Sequence, residues 1–421
     1  MTARKGEQMP RPVEVVFNSR REEKADLGVL VAGARLARNF HAGLPGYVPT
    51  PLVELRALAR RLGLGAVFVK DESRRFGLEA FKGLGSAWAV ARLLGERLGV
   101  APHALDFARL RAARAQVGEL TFVTATDGNH GRGLAWAAGL LGHRARVFMP
   151  TGASAARVAA IRALGAECTV TELAYDDAVR HAAAQARETG GILVQDTAWE
   201  GYEKVPSWIM EGYGTLALEA SEQLAGMGGQ GPTHVFVQAG VGSFAAAMVS
   251  CLGAVPGTRG LAQPRFVSVE PHAADCVFRS LAAGDGRPRT CPGSLETLMA
   301  GLSCGEVSAL AWPLLSATLH AACACPDDVA RLGMRLLAHP LGEDPALVSG
   351  ESGAVGAGLL HWLMRPEESP ETHGDAAKAR EALGLGPRAR VLIISTEGAT
   401  DPAVWEAVTG LFAAAAPLHQ S

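Results

Sequence analysis

The sequence predicts an α/β protein with mostly parallel sheets, on three observations. Short apolar runs alternate with longer helical stretches. Loops rich in Gly, Ser, Thr, Asn and Asp follow the apolar runs. The 421 residues, 48% apolar and 19% charged, supply enough material for more than one hydrophobic unit. Strand–helix alternation of this kind implies right-handed βαβ units.

The elements follow in order. AVFVK (66–70) reads as a strand and GSAWAVARLLGERLG (85–99) as a helix ending at Gly99. LTFVTAT (120–126) is a strand and GRGLAWAAGLLG (131–142) a helix. RARVFMP (144–150) and SAARVAAIRALG (154–165) repeat the pair, as do AECTVTE (166–172) and YDDAVRHAAAQARETG (175–190). GILVQD (191–196), THVFVQA (233–239), RFVSVEP (265–271) and ARVLIISTEG (389–398) read as further strands, with a helix starting at Ser243. GQGP (229–232) marks a boundary, and the Pro- and charge-rich 365–381 a surface loop leading into a helix.

Net charge is −2, which argues against nucleic acid or an anionic membrane as a general partner. No apolar run reaches the length of a membrane span. The start, MTARKGEQMPRPVEVVF, carries no apolar signal core, so a cytoplasmic protein is expected. The seven cysteines form no C-x-x-C pair, and no metal site is expected. They read as reduced thiols, with a Cys276–Cys304 bridge as a minor alternative.

In parallel sheets, ligands bind beyond the carboxyl ends of the strands. Four loops fall there: TDGNHG (126–131), QDTAWEGYEKVP (195–206), QAGVGSFA (238–245) and STEGATD (395–401). Gly240, Val241, Gly242 and Ser243 lie between a strand and a helix. There the backbone amides and the helix dipole form an anion site, most readily for phosphate. The same stretch fits G-x-G-x-x-A with Glu270 at the end of the next strand, a dinucleotide fingerprint. That nicotinamide reading leaves Lys82 unexplained.

Lys82 sits among Ala80, Phe81, Gly83, Leu84 and Gly85, near a helix start, where a cation is disfavoured. Desolvation lowers the pKa of an amine, so Lys82 is expected neutral and nucleophilic, ready to condense with an aldehyde. The alternative is a surface lysine with a buried stem. An aldehyde that also carries a phosphate is pyridoxal 5′-phosphate, so one lysine and one glycine loop point to one cofactor. In TDGNHG, Asp127 is either a functional carboxylate or a helix cap. Asn129 offers donors and an acceptor, and His130 is structural or catalytic.

At these residues the sequence resembles the fold-type II pyridoxal-phosphate enzymes, and within them the diaminopropionate ammonia-lyases. The resemblance rests on KDESRRFGLEAFKGLG, TDGNHGRGLAWAA, GAECTVTELAYDDAVR, QDTAWEGYEKVPSWIMEGY, THVFVQAGVG, MAGLSCGE, SGESGAVG and ISTEGATD, spread from about residue 47 to 401. It implies two domains, each with a mostly parallel twisted sheet flanked by helices: a large one of residues 1–89 and 216–421, and an inserted small one of 90–215. It further implies that Lys82 carries the cofactor and that Asn129 meets the pyridoxal 3′-hydroxyl. Gly240, Val241, Gly242 and Ser243 would hold the phosphate, and Ser395, or its neighbour Thr396, would face the pyridine nitrogen. Asp127 and Asp196 would bind a substrate with a second amine and act in catalysis, with Thr126 and Tyr175 nearby. The family carries Asn where this chain has Glu79, so Glu79 either adds a carboxylate to the cleft or is an ordinary acid at a helix start.

The activity so implied is β-elimination of ammonia from D- or L-2,3-diaminopropionate to pyruvate, by a homodimer. Alternatives are β-elimination from another amino acid such as serine, a nicotinamide-dependent dehydrogenase, and a non-catalytic binding module.

Overall fold

The computed structural model describes residues 12–22, 25–227, 231–254, 263–368 and 373–412. Gly229 and Gln230 of the expected boundary, and residues 369–372 of the charged surface loop, lie outside them, as do Met1–Arg11 of the N-terminal stretch.

Two sheets organise the chain. The larger has seven strands: β1 (Glu14–Phe17), β2 (Leu52–Glu54), β3 (Ala66–Asp71), β8 (His234–Gln238), β9 (Arg265–Pro271), β10 (Ala321–Cys325) and β11 (Arg390–Ser395), in the order β1-β10-β9-β8-β11-β3-β2. The five central strands run parallel, and β1 and β2 close the edges antiparallel. The smaller sheet is wholly parallel, β6-β5-β4-β7, from β4 (Thr121–Ala125), β5 (Arg144–Met149), β6 (Glu167–Val170) and β7 (Ile192–Leu193). Its strands all fall between residues 121 and 193.

The parallel strands are near-continuous apolar runs because helices cover both faces. Val67, Val69, Val391 and Ile393 pack to one side of the large sheet, and Phe68, Leu392 and Ile394 to the other. β10, AACAC, is fully buried but has neither bulk nor alternation, so the sequence pattern does not reveal it. The short edge strands β1 and β2 are likewise absent from the pattern. The expected strand 191–196 is ladder only at Ile192–Leu193, and Val194 to Asp196 run on into the site. The expected loop 195–206 ends early, because the 23-residue helix Lys204–Gly226 begins inside it. Pro206 falls in that helix's first turn, where a missing N–H costs nothing.

The helix Lys82–Leu98 positions the site. It is clasped by two helices through glycine contacts. A Cβ at Gly133, in the helix Asn129–Leu140, would come 2.9 Å from the amide nitrogen of Gly83 and 3.0 Å from the carbonyl carbon of Lys82. A Cβ at Gly212, in the helix Lys204–Gly226, would come 2.8 Å from Cα of Gly85. The small Gly83 beside the lysine is thus a helix-crossing residue.

Candidate active site

The strand-end loops of both sheets meet at one cavity. It is lined by Lys82, Thr126, Asp127, Asn129, His130, Tyr175, Asp196, Gly240, Val241, Gly242, Ser243, Thr396 and Glu397, together with Phe81, Gln238, Cys304 and Ser352. Lys82 and the glycine turn therefore open onto the same space.

Lys82 is the first residue of its helix, so the helix dipole gives its charge no help. Asp196, just beyond β7, compensates: Lys82 Nζ donates to Asp196 Oδ2. The rings of Phe81 and Tyr213 lie 5.4 and 5.5 Å from the same nitrogen. The expectation of a neutral amine is therefore corrected. Burial lowers the pKa of Lys82, but the Asp196 carboxylate outweighs it and the net shift is upward.

Asp196 also accepts from the Tyr213 hydroxyl at 3.4 Å, and His130 Nδ1 lies 3.8 Å from it. Burial opposes its ionisation, yet Lys82 and then His130 bring it down to about 2. His130 itself is bound through Nε2 to the carbonyl of Val194 at 2.8 Å, and burial lowers its pKa. Tyr175 accepts from Gln195 Nε2 at 3.3 Å.

Asp127 behaves differently. Burial pushes its carboxyl up to about 8 despite the nearby Arg157 guanidinium, and Asp196 adds to the rise. It does not cap the following helix, whose N-cap is Gly128. The turn is held by Thr126, whose Oγ1 accepts from the amides of Gly128 at 2.9 Å and Gly131 at 3.1 Å. The next polar residue, Asn129, donates its Nδ2 to Glu397.

The phosphate-type turn follows β8. Gly242 has φ +91°, a glycine conformation, and a Cβ there would come 2.9 Å from Leu315. The 12-residue helix Ser243–Ala254 starts at the cavity and directs its positive end into it. The Ser243 hydroxyl is engaged elsewhere, donating to the carbonyl of Asp196 at 2.7 Å. At the end of the neighbouring strand β11, Thr396 lines the cavity, while Ser395 is fully buried and donates to Ser349 Oγ at 2.8 Å. Lys82, an anion-binding turn and unpaired buried polar atoms at Gln238 and Ser352 fit a phosphorylated, polar-ringed aldehyde.

Other expectations resolve plainly. Glu270 is fully buried and accepts the amides of Val277 at 2.8 Å and Phe278 at 2.7 Å, so it is spent on the start of the helix Cys276–Ala282 and does not line the cavity. Glu79 leaves the cavity and pairs with Arg132 at 3.2 Å, from a left-handed φ of 56°. All seven cysteines are free, Cys276 and Cys304 included. Beyond Asp127 the cavity continues into a cleft with Asp176, Asp177, Glu296, Glu351 and Asp401 against Arg157 and Arg180. That excess of carboxylates favours a cationic ligand. Glu397, Glu351 and Arg157 are absent from the sequence-based expectations. The one available signal is a lone acid inside the otherwise small and polar STEGAT stretch.

The pattern of the family described as pyridoxal-phosphate dependent enzyme matches residues 44–373. Diaminopropionate ammonia-lyase of Salmonella typhimurium is 47% identical over 370 residues, covering 87% of this chain and 89% of that protein. The crystal structure of the Escherichia coli diaminopropionate ammonia-lyase in complex with D-serine superposes with a TM-score of 0.85 at 44% identity, covering 94% of this chain and 96% of that one. The same enzyme in complex with an aminoacrylate–PLP azomethine reaction intermediate gives 0.83 at 43%, covering 95% and 97%. This chain belongs to the pyridoxal-phosphate dependent enzymes, and within them to the diaminopropionate ammonia-lyases.

Proposed function

We propose that the protein eliminates ammonia from 2,3-diaminopropionate, leaving an enamine that hydrolyses to pyruvate and a second ammonia. The observation that carries this reading is a pair of carboxyls in one cavity with unlike surroundings: Asp196 accepts from Lys82 Nζ and is held down, whereas burial pushes Asp127 up. Two acids whose environments separate them divide the work of acid and base.

Lys82 would hold the cofactor, with Gly240, Val241, Gly242 and the amide of Ser243 around its phosphate, Asn129 at the 3′-hydroxyl and Thr396, or Ser395 behind it, at the ring nitrogen. Bound pyridoxal phosphate supplies the aldehyde and the electron sink for a carbanion. Lys82, once its amine is released, takes the proton from Cα of the L isomer. Asp127, as its carboxylate, takes it from the other face of the D isomer. The leaving β-amine departs as ammonia only if it carries an extra proton, because amide ion is a far poorer leaving group. Asp196 stays ionised and holds that ammonium, and the group that took the Cα proton, Lys82 for the L isomer or Asp127 for the D isomer, can return it to the leaving amine. Thr126 and Tyr175 border the same space and would shape it around the substrate. The acidic cleft outside draws the diamine inward.

Residues 90–215 would act as one body inserted in 1–89 and 216–421, and the active form would be a cytoplasmic homodimer. Among the described residues no helix is long and apolar enough to cross a membrane. The test is pyruvate release from purified holoenzyme given D- and L-diaminopropionate and D- and L-serine in parallel. Faster turnover of either serine isomer than of both diaminopropionate isomers would replace this substrate with a hydroxy amino acid.

A further inference from the structure

Glu397 has no role in the reaction outlined above, yet four motif stretches converge on it. It is 1% exposed and forms part of the cavity wall. Its main chain is fixed on two sides: its carbonyl accepts the amide of Gly350 at 2.9 Å, and it pairs with Ala80 in an isolated bridge. Missing side chains make its slot. A Cβ at Gly350 would come 3.0 Å from Glu397 Cγ, one at Gly353 would come 3.0 Å from its carbonyl oxygen, and one at Gly301 would come 3.9 Å from Oε2.

In that slot the carboxylate faces the start of the helix Glu351–Met364, where negative charge is favoured. Oε1 accepts the amide of Ser352 at 2.9 Å, and Oε2 accepts Nδ2 of Asn129. An ionised carboxylate only accepts, so it can pair with the amino end of the Asn129 amide and never with its oxygen. We infer that Glu397 is a positioning residue, an acceptor-only carboxylate that locks the Asn129 amide in one orientation towards the pyridoxal ring. The inference rests on the reading of Asn129 as the partner of the 3′-hydroxyl. It accounts for why a carboxylate stands at this wall: glutamine would fit the slot, but with its oxygen held by the Ser352 amide it would turn its NH2 towards Asn129 and demand the opposite orientation.

The test uses holoenzyme carrying Glu397→Gln, Asn129→Ala, or both. The readouts are the pH midpoint of the bound cofactor's absorbance band and the cofactor dissociation constant. Glu397→Gln is expected to move the midpoint and to weaken cofactor retention about tenfold, the scale of one charge-assisted hydrogen bond. In the Asn129→Ala background it should do neither, because the group it acts through is gone. Glu397→Asp, which draws the charge back by one methylene, should repeat the loss. Unchanged readouts in Glu397→Gln, or an equal shift with and without Asn129, overturn the inference. Failure of both Glu397 variants to fold makes the residue part of the scaffold and overturns it as well. An Asn129→Ala holoenzyme with unaltered band and retention overturns the reading of Asn129 beneath it.

Discussion

Asp127 and Asp196 have the same side chain and opposite fates, because one lies against an ammonium and the other does not. Replacing Asp127 by Asn keeps the shape and removes the base. Turnover of the D isomer is expected to fall by about 100-fold or more, with L-isomer turnover and the cofactor band retained. Equal loss for both isomers would move the D-specific base elsewhere. The same substitution has a signature in stability. A carboxyl raised from 3.8 to about 8 on folding stabilises the fold in its protonated form. That contribution is complete below about pH 4 and is lost as pH climbs towards 8. Asparagine keeps it throughout. Thermal melts of the two apoproteins should therefore coincide near pH 4, with the Asp127→Asn variant gaining steadily on the parent up to pH 8. A gap that does not widen would refute the raised value. Lys82 is legible in the sequence as a charge among small and apolar neighbours, and Asp127, Asn129 and Asp196 as polar residues of loops at strand ends, while the roles given to them rest on the resemblance. The charge state of Lys82 is not legible, because its partner is 114 residues away.

Among the elements, the helix that begins at Lys82 depends on glycines it does not contain. Gly133→Ala drives a methyl group into the backbone of residues 82 and 83, which cannot yield as a flexible side chain would. Such overpacking costs about 1–3 kcal/mol. Gly139→Ala in the same helix meets only the carbonyl of Leu164 at 3.9 Å and should be neutral or stabilising, as alanine is the better helix former. Chemical denaturation of the two variants decides it: a Gly133→Ala form as stable as Gly139→Ala would show that the crossing is loose. Strands and helices with strong apolar periodicity, such as 66–70 and 175–190, are legible nearly to their observed ends. β10 is not, because five alanines and cysteines carry no period. The two edge strands escape notice because a three- or four-residue strand is defined by its neighbour more than by its own residues.

Across the whole molecule, a buried charge cluster ties the approach to the site to its helical backing. Lys70 on β3 and Arg75 both reach Glu219 of the helix Lys204–Gly226, at 2.8 and 2.7 Å, with all three side chains almost wholly buried. Glu72 completes Arg75, and Tyr47 donates to Glu219 at 2.9 Å. Glu219→Ala strands Lys70 in the interior, leaving Arg75 to Glu72 alone, and should cost about 3–5 kcal/mol. A melting temperature indifferent to that change would mean that water reaches the cluster. No spacing rule joins Lys70 to Glu219, and the legible α/β alternation says only which strands are parallel. The pairing of Lys82 with Asp196 reaches furthest. An amine parked as an ammonium cannot attack a carbonyl, so the apoprotein must shed a proton before it captures its vitamin. Loading, followed by stopped-flow absorbance, should therefore speed up as pH rises. The carboxylate that tethers the nucleophile is thus also a brake on holoenzyme assembly.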